Sequence, residues 1–297
     1  MSVKPYLGVT RANFLLLPVT LVAVGAAAAA YDGSFDPVAT LAAVLALVSL
    51  HASVNAFNEY SDFKRGIDLE TERTPFSGGS GTLPEGYMPA KRAFGVAAGC
   101  AVFGTVVGVY FLYTVGWVLF PIFLLGAFCV LGYTDFLARI GLGEVFAGLG
   151  LGTLPVLGAA LVQGGELGDA AVAASIPPFF MTFNLLLLNE FPDELADRKG
   201  GRRNLVTLLG RRRAAVVYVT AAWTVPVVLV LAVVTGRLPT AALIATLPSV
   251  ALIGPTRWAV SKPLEPVPVP ALGANVVWNL LTNSILALAF ALAVLSM

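Results

Sequence analysis

The sequence predicts an all-α, polytopic membrane protein with nine transmembrane helices around a central cavity. Of its 297 residues, 58% are hydrophobic and 12% are charged, whereas a soluble domain carries about a quarter charged residues. Apolar stretches of about 20 residues are long enough to span a bilayer, and inside lipid an open chain satisfies its backbone by forming helices. The nine stretches are 12–31, 38–60, 92–114, 116–134, 143–162, 171–190, 212–235, 239–257 and 271–296.

The first apolar stretch follows two basic residues, Lys4 and Arg11, and ends in a run of alanines. These features also occur in signal peptides. The apolar run is long for the hydrophobic region of a signal peptide, and no separate mature domain follows it. We therefore expect a retained transmembrane helix.

The basic residues predict the orientation of the helices, because cytoplasmic loops are enriched in Lys and Arg. With the N-terminus in the cytoplasm, 17 of the 18 Lys and Arg residues fall on the cytoplasmic side and only Arg237 falls outside. This pattern predicts a multi-pass protein of the inner cell membrane with its C-terminus outside. We expect one transmembrane domain over 1–297, with long cytoplasmic loops at 61–91 and 191–211.

Two similar polar motifs follow the second and sixth predicted spans. Asn58-Glu-Tyr-Ser-Asp62 matches Asn189-Glu-Phe-Pro-Asp193 at four of five positions when Tyr is counted with Phe. The repeat predicts two related halves, each of which supplies part of one site between them.

Both motifs present oxygen ligands at helical spacing. Asn58 and Asp62 are four residues apart and so share a helix face, and Asp68 follows them. In the second half Asn189, Asp193 and Asp197 repeat the four-residue spacing, although Pro192 is expected to distort that turn. Carboxylate and amide oxygens suit Mg²⁺, which commonly binds together with substrate phosphates.

Basic residues accompany these ligands and suit a polyanion. Seven lie at 198–213, and the first loop adds Lys64, Arg65 and Arg73. Taken alone, each acidic residue could also belong to a helix end that contacts only water, and each basic residue could only set the orientation of the chain in the membrane. The repetition in both halves favours a functional site, because polar groups at membrane depth are costly.

Two further signals leave alternatives open. Tyr133 ends the fourth predicted span, and its ring suits either a carbocation, through cation–π attraction, or an anchor at the membrane surface. The glycine-rich stretch at 76–81 offers backbone amides to phosphate oxygens, although a simple turn is the default expectation.

These motifs resemble those of the UbiA superfamily of intramembrane prenyltransferases, over essentially the whole chain. The first motif fits as Asn55-x-x-Asn58-x-x-x-Asp62 with Asp68, and the second as Asn189-x-x-x-Asp193-x-x-x-Asp197 followed by Gly201-Arg-Arg-Asn-Leu205. Tyr133-Thr134, Gly141-x-Gly-Glu144 and the Ser77–Gly81 stretch look most like the menaquinone branch, which prenylates 1,4-dihydroxy-2-naphthoate. Two features depart from the pattern: Glu59 stands where many members carry Asp, and the gap between Asp62 and Asp68 is wider.

The resemblance implies Mg²⁺-dependent transfer of a polyprenyl group from an allylic diphosphate to an aromatic acceptor. The implied catalytic residues are Asp62, Asp68, Asp193, Asp197 and Tyr133. The implied metal ligands are Asn58, Asp62, Asp68, Asn189, Asp193 and Asp197. The implied substrate contacts are Asn55, Asn58, Lys64, Arg65, Arg73, Arg139, Asn189, Arg203 and Arg11.

The expected partners are the polyprenyl diphosphate, the aromatic acceptor and the lipid bilayer, with no nucleic acid and no obligate protein partner. The alternative acceptors are 4-hydroxybenzoate or another phenolic or lipid compound. An alternative of a different class is an ion-coupled membrane transporter. A CDP-alcohol phosphotransferase is disfavoured, because that family needs one compact aspartate motif, and here the motifs lie far apart.

Overall fold

The computed structural model describes residues 2–70, 73–76, 78–132 and 140–296, and its regular elements are helices. In chain order these are α1 (Lys4–Val9), α2 (Leu16–Tyr31), α3 (Pro37–Arg65), α4 (Ile67–Glu70), α5 (Ala90–Val115), α6 (Phe120–Gly132), α7 (Gly143–Gly148), α8 (Leu154–Gly164), α9 (Asp169–Ala174), α10 (Ile176–Gly200), α11 (Leu205–Leu209), α12 (Arg211–Val234), α13 (Ile253–Ser261) and α14 (Val269–Leu295). Three-residue 3₁₀ segments precede α2 (Ala12–Phe14) and α6 (Trp117–Leu119), a 13-residue one (Thr240–Leu252) precedes α13, and a π turn (Leu149–Thr153) joins α7 to α8.

The all-α membrane architecture is confirmed, but the count of nine spans is not. Among the described residues, eight helical stretches are long and apolar enough to cross a membrane. They are Ala12–Tyr31, Pro37–Arg65, Ala90–Val115, Gly143–Gly164, Asp169–Gly200, Arg211–Val234, Thr240–Ser261 and Val269–Leu295. The predicted fourth span corresponds to a shorter apolar helix, Trp117–Gly132, and residues 133–139 lie outside the described part of the chain.

Helix α3 has clear signals at both ends. The Asp36 side chain caps its N-terminus by accepting hydrogen bonds from the backbone of Val38 and Ala39, and Pro37 occupies the first turn, where proline is favoured. Gly66, with φ 77°, ends it in the left-handed conformation that glycine adopts without steric cost.

The two motif helices are longer than the sequence predicts. Helix α3 runs to Arg65 and α10 runs to Gly200, so the first part of each predicted loop is helical. Pro192 lies inside α10 without ending it. The carboxylates of both motifs therefore stand on helices, which fixes their relative positions.

Small residues let the helix backbones approach closely, as is common in membrane bundles. A Cβ atom on Gly25 of α2 would lie 2.3 Å from the carbonyl oxygen of Val156 on α8. A Cβ atom on Gly104 of α5 would lie 2.5 Å from the Leu50 side chain on α3. These contacts hold α2, α3, α5 and α8 around a common interior.

That interior contains a chamber of about 360 Å³, lined mostly by apolar side chains of α2, α3, α5, α6, α7, α8 and α10. Its described lining residues run from Arg11 to Asn189, so helices of the first six predicted spans surround the cavity. The later helices α12 and α14 instead pack behind α2 in a core that includes Val225, Trp278 and Phe290. Outward-facing apolar residues such as Val102, Val106 and Tyr113 are exposed on α5, where lipid would cover them.

Candidate active site

A second, polar pocket of about 110 Å³ lies beside the apolar chamber, and both motifs contribute to it. The structure brings together in its lining all six residues that the sequence predicts as metal ligands: Asn58, Asp62, Asp68, Asn189, Asp193 and Asp197. Residues from the two halves, more than a hundred positions apart in sequence, therefore line one pocket.

The first half supplies its carboxylates through a helix end and a reversal. Asn58 and Asp62 lie on the last turns of α3, Gly66 ends the helix, and Asp68 follows on the short helix α4. Asp68 is 5% exposed. Burial raises the pKa of Asp68 to about 7, and the negative charges of Asp62 and Glu59 also raise it.

The second half supplies its oxygens from α10. Asp197 accepts a hydrogen bond of 2.8 Å from the side-chain amide of Asn204. Asn204 also caps α11 through a reciprocal pair of bonds with Thr207. Asp193 accepts a hydrogen bond from the backbone N–H of Gly78. The glycine-rich stretch therefore contacts a carboxylate of the opposite half.

An arginine joins the two halves. Arg202 Nη2 lies 2.5 Å from Asp62 Oδ1, and its Nη1 lies 3.7 Å from Asp197 Oδ1. The sequence analysis names Arg203 as one of several candidate phosphate contacts. Arg203 is exposed, whereas Arg202 lines the polar pocket. Periodicity could not distinguish these neighbours, because both follow the αL residue Gly201, where the helix ends.

Arg11 reaches the same site from the N-terminal segment. Its backbone is the only described non-glycine position with a positive φ, 47°, a conformation that is uncommon for such residues. Its Nε donates a 2.8 Å hydrogen bond to Glu59, which is fully buried. Ser80 donates to Glu59 from both its backbone N–H and its hydroxyl. Glu59 thus ties Arg11 and the glycine-rich stretch to α3.

The remaining predicted substrate contacts are placed less centrally. Asn55 bonds the carbonyl oxygen of Thr10 and lines the apolar chamber. Lys64 lies exposed over the Tyr60 ring, and Arg73 pairs with Glu85 near the surface. Arg65 is partly buried on the last turn of α3 and is one of the charges that act on Asp62. Tyr133 and Arg139 lie outside the described residues.

Two further glutamates belong to the site's surroundings, although sequence reasoning assigned neither of them a role in the site: Glu144 is buried and Glu190 is partly buried. Glu190 lines the polar pocket and interacts with Glu144, which is fully buried. Glu144 Oε1 accepts a 2.5 Å bond from the backbone N–H of Leu205. The position of Glu190 inside the second motif, directly after Asn189 on α10, was the sequence signal for it.

The polar pocket and the apolar chamber lie side by side and share part of their lining. Five residues line both: Arg11, Asn58, Phe76, Leu186 and Asn189. The combined space is polar and charged at one end and apolar at the other. It suits a ligand with an anionic head and a long hydrocarbon tail.

The donor set of the pocket fits a hard divalent cation. Asp68 Oδ2 and Asp193 Oδ1 are buried and lack a hydrogen-bond partner among the described residues, which leaves two anionic oxygens to be satisfied. Within the same residues no three acidic, cysteine or histidine side chains converge into a closed metal site. Mg²⁺ rarely uses such a cage, because it usually keeps water and phosphate ligands.

Comparison with known proteins places these features in a family. The UbiA prenyltransferase family matches residues 16–266 of the chain. The chain is 28% identical to 1,4-dihydroxy-2-naphthoate octaprenyltransferase of Bacillus subtilis over 208 residues, which cover 69% of this chain and 66% of that protein. The chain thus spans slightly less than two thirds of that relative.

Solved structures share the fold at low sequence identity. A UbiA homologue from Aeropyrum pernix, in its apo form, aligns with a TM-score of 0.70 at 16% identity, over 92% of this chain and 96% of that chain. A UbiA homologue from Archaeoglobus fulgidus bound to GPP and Mg²⁺ aligns with a TM-score of 0.68 at 16% identity, over 99% of this chain and all of that one.

Proposed function

Since the chain is an integral membrane protein that belongs to the UbiA prenyltransferase family, we propose that it transfers a polyprenyl group from an allylic diphosphate to an aromatic acceptor, with Mg²⁺ as cofactor. One observation carries this proposal: the pocket that gathers both carboxylate motifs shares part of its lining with the apolar chamber. This junction matches an allylic diphosphate, whose charged head and apolar tail need opposite surroundings. Family membership favours the enzyme over the ion-coupled transporter.

We assign the diphosphate head to the polar pocket. Asn58, Asp62, Asp68, Asn189, Asp193 and Asp197 would hold Mg²⁺ there. When bound, Mg²⁺ supplies positive charge that stabilises the departing diphosphate. Arg11 and Arg202 line the same pocket and add donors for phosphate oxygens, which guanidinium groups bind well.

We assign the isoprenoid tail to the apolar chamber. Its walls exclude water, and this protects the allylic cation from hydrolysis as the C–O bond breaks. Tyr133 remains the proposed cation–π partner of that cation. The remaining proposed diphosphate contacts are Asn55, Lys64, Arg65, Arg73 and Arg139. At the Arg202–Arg203 pair we now propose Arg202 in place of Arg203, because Arg202 lines the polar pocket and Arg203 is exposed.

The proposed acceptor is 1,4-dihydroxy-2-naphthoate, in menaquinone biosynthesis. The motifs Gly141-x-Gly-Glu144 and Ser77–Gly81 support it, and so does the name of the Bacillus relative. In that acceptor the attacked carbon bears the carboxylate, so CO₂ would leave. 4-Hydroxybenzoate or another phenolic or lipid acceptor is the alternative within the same chemistry.

The proposal includes location. The distribution of Lys and Arg supports a single domain in the inner membrane, with the N-terminus and both motifs on the cytoplasmic side. Labelling single-cysteine variants from either side of inverted vesicles tests this orientation. Labelling of position 237 only from the cytoplasmic side would contradict it.

A direct assay tests the function. Purified protein is incubated with radiolabelled geranylgeranyl diphosphate and either dihydroxynaphthoate or 4-hydroxybenzoate, with and without Mg²⁺. We expect a prenylated naphthoquinol and release of CO₂ only when Mg²⁺ is present. Transfer that persists fully after chelation would contradict the metal assignment, and transfer only to hydroxybenzoate would replace the acceptor.

A further inference from the structure

The only histidine of the chain stands in the wall of the apolar chamber. His51 lies on α3 and is 7% exposed. Its Nδ1 is buried and has no hydrogen-bond partner among the residues that the structure describes. Buried polar atoms normally have a partner, and an imidazole held only for packing would be replaced by an apolar side chain at less cost.

His51 shares one face of α3 with the residues that begin the polar pocket. His51, Asn55 and Asn58 follow at helical spacing, and all three line the chamber. With a rise of about 1.5 Å per residue, His51 lies about 10 Å along the helix from Asn58. An aromatic ring that meets the allylic carbon near Asn58 would extend toward His51.

The neighbouring walls are apolar at this level. Leu47, Leu50 and Val54 of α3 and Leu154 of α8 also line the chamber. Burial among apolar residues favours the neutral form of an imidazole over the charged imidazolium. A neutral imidazole has one nitrogen that can accept a proton.

We propose that His51 accepts the proton of the acceptor's ring hydroxyl during prenyl transfer and later returns it. This role rests on the proposed function, because it needs a hydroxylated aromatic acceptor in the chamber. It adds a base for the acceptor, a group that the two carboxylate motifs, committed to the diphosphate, do not supply.

The proton balance of the reaction explains why a shuttle suits this acceptor. As the ring carbon bonds to the allylic carbon, electrons flow from the hydroxyl oxygen, and its proton passes to His51 as the O–H bond breaks. The bond from that ring carbon to the carboxylate then breaks and CO₂ leaves. The electron pair returns to the oxygen, which takes the proton back from His51, so the histidine ends neutral.

A neutral imidazole is strong enough to accept the hydroxyl proton only during prenyl transfer. A ring hydroxyl is a weak acid in the free acceptor but becomes a strong acid once the ring has bonded to a cation. A buried imidazole can therefore take the proton in the transition state, when the proton is needed, and leave the free acceptor protonated. General base catalysis of this kind typically contributes about 10²–10⁴-fold to the rate.

The test compares His51→Leu and His51→Ala with the wild type in the transfer assay. A matched control is Ser53→Ala, which deletes another buried polar group of α3, one that donates to the carbonyl oxygen of Ala97. For His51→Leu we expect kcat to fall at least about 100-fold, with the KM for geranylgeranyl diphosphate within about threefold of the wild-type value. Ser53→Ala should keep its kcat.

Two further measurements separate the role from packing. Protection of each variant from thermal unfolding by geranylgeranyl diphosphate and Mg²⁺ shows that the chamber is intact. Added imidazole should restore part of the kcat of His51→Ala, and a purely structural histidine would give no such rescue.

The outcomes are distinct. If His51→Leu keeps its kcat, or loses only affinity for either substrate, the proton role is overturned while the proposed function stands. A loss of kcat in His51→Ala without rescue by imidazole also overturns it. If the wild type transfers to neither dihydroxynaphthoate nor hydroxybenzoate, the proposed function fails, and the histidine role fails with it.

Discussion

The two halves of the site begin alike and end differently. In each half a left-handed glycine ends the helix four residues after a carboxylate. Gly66 follows Asp62 in the first half, and Gly201 follows Asp197 in the second. After the glycine the first half adds a further carboxylate, Asp68, whereas the second half adds Arg202 and Asn204.

This difference shows that a repeat of geometry need not be a repeat of charge. The first half concentrates negative charge, and burial, together with the charges of Asp62 and Glu59, raises the pKa of Asp68. The second half supplies the compensating cation, since Arg202 pairs with Asp62 of the first half. Each half is therefore incomplete, and the substrate head is expected to bind where they meet.

The largest expected effect tests whether both halves bind the metal. Asp62→Asn and Asp193→Asn should each lower kcat roughly 10³-fold, because each removes charge that positions the cation on the diphosphate. The transfer assay at saturating Mg²⁺ measures this. The control Glu194→Gln changes the charge of the neighbouring residue, which pairs with Arg198 instead, and should leave kcat nearly unchanged. If only one of the two variants loses kcat, the two halves contribute unequally to metal binding.

The next prediction separates two adjacent arginines. Arg202→Ala should lower kcat/KM for the diphosphate substrate roughly 100-fold, because it removes a positive charge from the pocket. Arg203→Ala removes an equal charge from an exposed position and should change it by less than about threefold. The same assay at fixed ionic strength measures both. Equal losses in the two variants would contradict the placement of Arg202 as the bridge.

A smaller effect is expected at the tie between α3 and the N-terminal segment. Glu59→Gln should lower kcat/KM roughly tenfold, because Arg11 and Ser80 lose a charged acceptor that fixes them. It should also lower the thermal unfolding temperature in detergent. Glu85→Gln breaks the comparable pair with Arg73 near the surface, where ion pairs contribute little, and should be nearly silent. Loss of stability without loss of kcat/KM would make the tie purely structural.

The smallest predicted effect concerns the glycine-rich stretch. A Cβ atom on Gly79 would lie 3.0 Å from Asp68 Oδ1, so Gly79→Ala should raise the Mg²⁺ concentration needed for half-maximal rate by about two- to fivefold, or about 0.4–1 kcal/mol. Gly86→Ala is matched, because Gly86 has nearly the same φ, 75° against 76°, with nothing within 4 Å. An equal shift in both would assign the effect to backbone strain.

Much of the fold could be predicted from the sequence. Hydrophobic runs locate the helices to within a few residues, because a bilayer demands a minimum apolar length. The ends of the motif helices were misplaced, since α3 and α10 continue through polar residues to Arg65 and Gly200. An apolar run marks only the part of a helix that lies inside the membrane. It does not predict the polar turns by which such a helix continues beyond the membrane to line a pocket.

The candidate site could be predicted only in part. The four-residue spacing within each motif, together with the nearby Asp68, predicted six candidate ligand residues, because residues four apart share a helix face, and all six line the pocket. The sequence could not predict that Arg202 and not Arg203 lines the pocket, since this depends on how the chain turns after Gly201. The contact of Gly78 with Asp193 was also missed, because it joins parts of the chain far apart in sequence.

The sequence by itself therefore determined the membrane class, the family and the repeated carboxylates, because these depend on composition and local spacing. Only the tertiary structure decided which charges compensate which. Arg202 meets Asp62 across 140 residues, Glu59 holds Arg11, and His51 faces a chamber that no local pattern encodes. Such pairings depend on how helices pack against one another, and that packing is a property of the whole chain.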